Sequence, residues 1–264
     1  EPTLRINGSL AIALADLERA WTEQPEVSAP VAGPNVASVP AAKATPRAPG
    51  QRTAAPRVLI LHANGSNRDH DAALACQLAG GIPEIVHVNQ LFAGERRISD
   101  YQMIVVPGGF SYGDDLGAGT RWALDLRERL GSDLERFIAE GRPVLGICNG
   151  FQTLVKAGLL PGGDWSGSGE RPVTLTYNAS GHFECRWVTL MPNPHSTSLF
   201  TANLTEPIFC PVAHGEGRLA TRDAATRDAL VRDGLIALTY TAADGGPAAY
   251  PDNPNGSELA IAGL

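Results

Sequence analysis

Cys148 stands between two glycines in the stretch Pro143-Val-Leu-Gly-Ile-Cys-Asn-Gly-Phe-Gln-Thr-Leu154, straight after an apolar run and straight before a helix-like segment. Strand, then Gly146-Ile-Cys148-Asn-Gly150, then helix is the layout of a nucleophile elbow. A strand that reverses directly into a helix forces its central residue into a strained backbone conformation. The residues two positions either side then crowd together, which favours glycine at both. The side chain projects into the crevice at the carboxyl end of the sheet, and the following helix aims its N-terminal amides at the sulfur. Such a site is expected to lower the thiol pKa from its usual ~8.5 and so raise the thiolate fraction. The Asn149 amide is then placed to stabilise an oxyanion. The alternative is a packing cysteine in a tight glycine-rich turn.

Other polar residues could keep that sulfur company. Pro107-Gly-Gly-Phe-Ser-Tyr-Gly-Asp-Asp115 follows another strand and should emerge at the same sheet edge. Gly108 and Gly109 would let backbone amides approach a ligand and form the other half of an oxyanion hole, or they simply make a surface turn. Gln152 lies one helical turn after Cys148 and faces the same way. Its amide either binds a polar substrate group or is solvated. Asn178 and Gly181-His-Phe-Glu-Cys-Arg-Trp187 suit a pocket lining and an amphipathic strand equally well. Of the six histidines, His214 in Pro211-Val-Ala-His-Gly-Glu-Gly217 is the most suggestive. With Glu216 it could be a base and its orienting carboxylate, or a structural polar pair.

The elements that must position these groups follow from pattern. Residues 57–61, 84–88, 103–107 and 143–147 read as short apolar strands. Residues 69–79, 121–140 and 150–157 read as helices, the second with Leu126, Leu130, Leu134, Phe137 and Ile138 at helical spacing and Gly141 as its stop. Alternation of this kind predicts an α/β fold: an open, mostly parallel sheet with helices on both faces. After residue 172 the pattern turns β-rich (172–177, 183–190, 207–213, 235–241), with one helix at 224–232. Seven of the 20 prolines fall between Gln24 and Pro56, which makes residues 23–56 a linker. The assignment is therefore residues 1–22 as the remnant of a preceding domain, 23–56 as linker and 57–264 as the main domain. Leu10–Leu14 is apolar, and Asp16–Trp21 reads as a short amphipathic helical turn.

Composition narrows the class. The 264 residues are 43% hydrophobic and 19% charged, ordinary for a globular protein. A net charge of −7 leaves no basic excess to neutralise phosphates, so nucleic acid is not an expected partner. No run approaches the ~18 apolar residues of a membrane span. The four cysteines lie far apart without a C-x-x-C pair, which excludes a zinc ribbon and argues against a disulfide framework. A reduced, cytoplasmic enzyme without a metal in this domain is the expectation. The chain opens on Glu1 and closes on an apolar run, 259–264, and both ends read as severed.

The elbow Gly146-Ile-Cys-Asn-Gly-Phe-Gln152, together with Pro107-Gly-Gly-Phe-Ser-Tyr-Gly-Asp114, Pro211-Val-Ala-His-Gly-Glu-Gly-Arg218 and Asn253-Pro-Asn-Gly-Ser257, resembles the class I glutamine amidotransferase domain of phosphoribosylformylglycinamidine synthases, over about residues 57–264. The resemblance implies that Cys148 attacks the side-chain amide of glutamine, releasing ammonia and forming a glutamyl thioester that water hydrolyses. It implies oxyanion amides at Gly109 and Asn149, and glutamine contacts from Gly108, Phe110 and Gln152. It also implies an ammonia-accepting synthetase domain that carries ATP and Mg and converts formylglycinamide ribonucleotide to the amidine. Residues 4–21 faintly resemble the end of that synthetase domain in the fused, single-chain form. The family's base and carboxylate sit in a His-Pro-Glu motif after the Asn-Pro-Asn-Gly-Ser region. No such motif occurs before Leu264, so the catalytic histidine is not carried onto His214. A cysteine hydrolase or redox sensor of the DJ-1/PfpI type, with a similar elbow, is the alternative.

Overall fold

The computed structural model describes residues 3–6, 10–16, 19, 54–162, 171–242 and 244–264. Two compact units are present, Glu1–Val31 and Ala32–Leu264. In the first, strands β1 (Thr3–Ile6) and β2 (Leu10–Ala13) form an antiparallel hairpin. The apolar Leu10–Leu14 segment is thus mainly strand, followed by a helical stretch at residues 14–16. Apart from Arg19, which is also helical and pairs with Asp16, the rest of the expected helical turn to Trp21 and the linker up to residue 53 lie outside the described residues.

The second unit is built on a four-stranded parallel sheet in the order β4-β3-β5-β6. Its strands are β3 (Arg57–His62), β4 (Ile82–His87), β5 (Met103–Val106) and β6 (Val144–Gly146). Alternation divides each strand between two faces. Leu59, Leu61, Ile104 and Val106 pack in one core cluster with Trp122, Leu126, Leu130, Leu134 and Phe137 of helix α3 (Thr120–Ala139). Val58, Ile60 and Val105 turn to the other face, against Ala72, Ala73 and Cys76 of helix α1 (Asp69–Leu78). The sheet is covered on both sides, as the short, apolar strands require.

Helix α2 (Val88–Phe92) begins where strand β4 ends. The His87 ring accepts the Asn89 N–H while the Gln90 side chain accepts the His87 N–H, a capping box that stops the strand one residue before the sequence pattern suggests. Helix α4 (Asn149–Ala157) follows the elbow and serves two cores. Leu154 joins the parallel-sheet cluster, whereas Val155 packs with Val173, Leu175, Leu219, Leu230, Ile236 and Ile261.

That second cluster belongs to the β-rich half. Strands β7 (Val173–Thr176) and β10 (Arg218–Thr221) form one antiparallel pair. Strands β8 (Glu184–Pro192), β9 (Ile208–His214), β11 (Leu238–Thr241) and β12 (Ile261–Gly263) form a second sheet in the order β12-β11-β8-β9. Helix α5 (Ala224–Arg232) is capped by the Asp223 carboxylate, which accepts the Thr226 N–H. Strands β10 and β12 were not expected: Arg-Leu-Ala-Thr carries no strong strand pattern, and the terminal apolar run gains a role only through its pairing with β11.

Leu126 is wholly buried, whereas Leu124 on the same helix is 55% exposed. Leu126→Ala should lower unfolding stability by about 2–5 kcal/mol through the cavity it leaves, with Leu124→Ala within about 0.5 kcal/mol of the parent. Urea-unfolding midpoints of the two variants check this contrast.

Candidate active site

The chain reverses at Cys148 with φ 54° and ψ −113°, in the positive-φ region that side-chain-bearing residues rarely adopt. Both flanking glycines are needed. A Cβ on Gly146 would fall 2.5 Å from Leu154 Cδ1 and 2.7 Å from the Gly150 carbonyl oxygen. A Cβ on Gly150 would collide with the Val106 carbonyl, so this glycine also lets helix α4 close onto strand β5.

The backbone N–H groups of Gly109 and Asn149 both donate toward the Cys148 sulfur. These are the two amides that the resemblance names for the oxyanion. Gly109 has φ 142°, and a Cβ there would lie 2.8 Å from the Ser66–Asn67 peptide nitrogen. A glycine is what lets the 107–118 loop bridge to Ser66 and present its amide. Gly108 sits behind the thiol, where an added Cβ would be 3.3 Å from Cys148 Cβ.

A recess of about 220 Å³ opens in front of the sulfur. Gly109, Phe110, Cys148 and Gln152 line it, joined by Asp114, Ala118, Tyr177, Phe183 and Ala213–Glu216. It is smaller than the ~300–1,000 Å³ of drug-sized ligand sites and suits an amino-acid-sized ligand. Asn149 is 1% exposed and does not line the recess; its backbone N–H is directed at the Cys148 sulfur. Its side chain accepts the Ser111 N–H at 3.0 Å and donates to Asp114 Oδ1 and Gln152 Oε1.

Gln152 differs from the simple picture of a substrate-binding amide. Its Oε1 accepts from Asn149 and its Nε2 donates to the Glu216 carbonyl at 2.9 Å, so both ends already have protein partners. One acceptor site and one N–H remain for a ligand. Glu216 does not orient His214. Its Oε1 accepts the Ala118 N–H at 2.9 Å, and its Oε2 pairs with Lys156 Nζ at 3.0 Å. Lys156 also donates to the Ala118 carbonyl at 2.6 Å. This buried pair clamps the end of the 107–118 loop, and the one hint of it in the sequence is a lysine inside the apolar run Phe151–Ala157.

Of the six histidines, His214 alone lines the recess. Both its ring nitrogens are buried without a partner among the described residues, and its ring rests on Gly217. Burial holds the imidazole below its usual pKa, that is, neutral. His62 pairs instead with Asp69 at 2.7 Å, away from the recess lining. Asn178 is 4% exposed and braces the turn rather than lining the recess: it donates to the His182 and His214 carbonyls and accepts the Gly217 N–H. The Asn253–Ser257 segment is a self-braced loop whose Ser257 hydroxyl accepts the Leu219 N–H.

Cys148 presents open surface to the recess yet is closely surrounded by protein. Desolvation pushes its thiol pKa up, aided by the Asp114 charge and opposed by the Asn149 and Gly109 amides and by Arg68. The expectation of a lowered pKa is therefore reversed in the free protein. Hydrogen bonds from two amides are outweighed by burial.

Residues 55–264 match the model of the CobB/CobQ-like glutamine amidotransferase domain. The chain belongs to this family. The phosphoribosylformylglycinamidine synthase subunit PurQ of Treponema denticola is 50% identical over 222 residues, covering 79% of this chain and 82% of that protein. The PurQ subunit of Methanococcus maripaludis is 42% identical, covering 79% and 76%. Phosphoribosylformylglycinamidine synthase of Drosophila melanogaster is 36% identical over a stretch that makes up 16% of its length. Among solved structures, PurLQS from Thermotoga maritima superposes with a TM-score of 0.55 at 30% identity, over 78% of this chain and 80% of that one. The amidotransferase domain thus has the α/β architecture that its strand–helix alternation implies. The DJ-1/PfpI-type alternative is set aside, because the family match and the relatives are those of amidotransferases.

Two outcomes test this site. Lys156→Met should destabilise the amidotransferase domain by about 3 kcal/mol by leaving Glu216 buried and unpaired, and Lys156→Met with Glu216→Leu should recover part of that loss in the same urea unfolding measurement. The iodoacetamide reaction at Cys148, followed on its own peptide by mass spectrometry, should rise with pH to a midpoint above the ~8.5 of a free thiol. Asp114→Asn should move that midpoint down, because removing a neighbouring negative charge favours the thiolate.

Proposed function

We propose that this chain is the glutamine-hydrolysing part of a phosphoribosylformylglycinamidine synthase, with Cys148 as its nucleophile. The observation that carries the reading is the convergence of the Gly109 and Asn149 amides on a cysteine at the floor of an amino-acid-sized recess. The 50% identity to a PurQ subunit supports the choice of enzyme.

In this reading glutamine enters with its side-chain amide against Cys148, flanked by Phe110 and Gln152. The thiol gives up its proton, and sulfur forms a bond to the amide carbon while the carbonyl electron pair moves onto oxygen. That oxygen takes the two N–H bonds that point at sulfur in the free protein. Collapse restores the carbonyl and breaks the C–N bond, and the nitrogen leaves as ammonia with the added proton. Water then attacks the γ-glutamyl thioester, giving glutamate and the free thiol. Holding donors where charge develops typically contributes about 10²–10³-fold per donor.

His214 and Glu216 both line the recess but are not bonded to each other, Glu216 being held by Ala118 and Lys156, so proton transfer is not assigned to them as a pair. The ammonia acceptor is a synthetase part, to which ATP and Mg are assigned; it makes the amidine from formylglycinamide ribonucleotide. Residues 1–22 are read as the end of that synthetase part and 23–56 as the linker, with the longer Drosophila chain as a precedent for such a fusion. A cytoplasmic location belongs to the same reading, with all four cysteines free.

Incubation of residues 1–264 with 6-diazo-5-oxo-L-norleucine should modify Cys148 and none of the other three cysteines, with L-glutamine protecting. Steady release of glutamate should be very weak, and Cys148→Ser should lower what there is by at least about 10³-fold. Modification of another cysteine with Cys148 untouched would overturn the assignment. Vigorous hydrolysis abolished by His214→Ala would show that the base is His214 after all.

A further inference from the structure

The recess holds one more negative charge than its own residues neutralise. Glu216 is fully engaged by the Ala118 N–H and Lys156 Nζ. Asp114 shares that wall, and its recorded hydrogen bond is a long one, 3.3 Å from the Asn149 side-chain amide to Oδ1. Among the described residues no cation pairs with it, since the nearby Lys156 is committed to Glu216. Burial and the Glu216 charge accordingly raise its carboxyl pKa. A carboxylate can accept about four hydrogen bonds, and Asn149 is the one side-chain donor to Asp114 among the described residues.

The loop is shaped to hold this carboxylate in place. Tyr112, Gly113 and Asp114 all have φ between 55° and 65°, and Leu116 follows at 65°. Left-handed side-chain-bearing residues cost about 1–3 kcal/mol each and persist only where the surroundings over-determine them. Here the Ser111 N–H is held by Asn149, the Tyr112 hydroxyl donates to Asp125 at 2.5 Å, and Ala118 is held at both its N–H and its carbonyl. Asp114 lies between these anchors, in the same recess lining as the nucleophile.

We propose that the Asp114 carboxylate accepts the α-ammonium of the substrate and is the residue that restricts this site to α-amino acids. The inference rests on the reading of the recess as a glutamine site and adds a specificity-determining contact to it. An ammonium arriving at Asp114 supplies the missing positive charge. It also screens the carboxylate from Cys148, so that binding of the correct substrate removes one of the influences that disfavour the thiolate.

The test compares L-glutamine with glutaramate, which keeps the side-chain amide and the carboxylate but lacks the amino group. Each is titrated for protection of Cys148 against iodoacetamide in residues 1–264. The parent should favour L-glutamine by about 10-fold or more, the scale of a hydrogen bond to a charged group. In Asp114→Asn, which keeps the oxygen facing Asn149, that preference should collapse to within about threefold, with glutaramate protection little changed. A parent protein that binds both ligands equally overturns the proposal without any variant, and so does an Asp114→Asn protein that keeps the full preference. A parent whose Cys148 is neither protected by glutamine nor modified by 6-diazo-5-oxo-L-norleucine contradicts instead the glutamine-site reading beneath it. Circular dichroism and the urea-unfolding midpoint show whether the variant remains folded.

Discussion

The chain's chemistry depends on one backbone reversal, in which Cys148 takes a left-handed conformation between the end of a parallel strand and the first turn of a helix. That geometry costs about 1–3 kcal/mol for a residue with a side chain, and it is stable only because Gly146 and Gly150 clear the space around it. Gly150 allows the helix to close on the Val106 carbonyl, and Gly146 admits Leu154 into the sheet core. The same packing that fills the interior therefore presents the sulfur at the rim, with the Asn149 amide beneath it. A side chain at either glycine would act on the fold and on the site together.

A second constraint is the polar network that joins helix α4 to two loops far apart from it in sequence. Asn149, Gln152, Glu216, Lys156 and the backbone of Ser111 and Ala118 satisfy one another in a poorly solvated region. Each bond there is stronger than in water, and each lost partner leaves a costly orphan. The network accounts for a lysine on the buried side of helix α4 and for a glutamate that mimics a catalytic carboxylate while serving as a clamp. Among the described residues it leaves Asp114 as the acidic group in the recess without a cation, and His214 as a neutral ring without an orienting partner. The electrostatic character of the site comes from what the network leaves over.

Much of this was legible in the order of residues, and the exceptions share a cause. The four parallel strands and the helices between them follow from short apolar runs and from periodicity, because burial on both faces demands those patterns locally. Strand β10 was missed because Arg-Leu-Ala-Thr becomes a strand only through its pairing with Val173–Thr176. Strand β12 was missed because its partner, Leu238–Thr241, lies more than twenty residues earlier. Around Cys148, the approach of the Gly109 and Asn149 amides to the sulfur was legible because the elbow and the glycine pair are local devices. The raised thiol pKa was not, because the helix terminus is visible in sequence while the protein packed around the sulfur is not.

By itself the amino-acid order determined the glycine-flanked cysteine, the turn that exposes it, the α/β layering and the family, since each follows from spacing within a few residues or from quoted motifs. The tertiary structure decided how closely protein surrounds the thiol, that Gln152 and Glu216 already have partners, and that Asp114 lines the same recess as Cys148. Those properties depend on contacts such as Ala118 with Glu216, 98 residues apart. Local rules of conformation act over a turn of helix or a pair of strand residues. Charge and solvation are set by whatever the folded chain brings within a few ångströms.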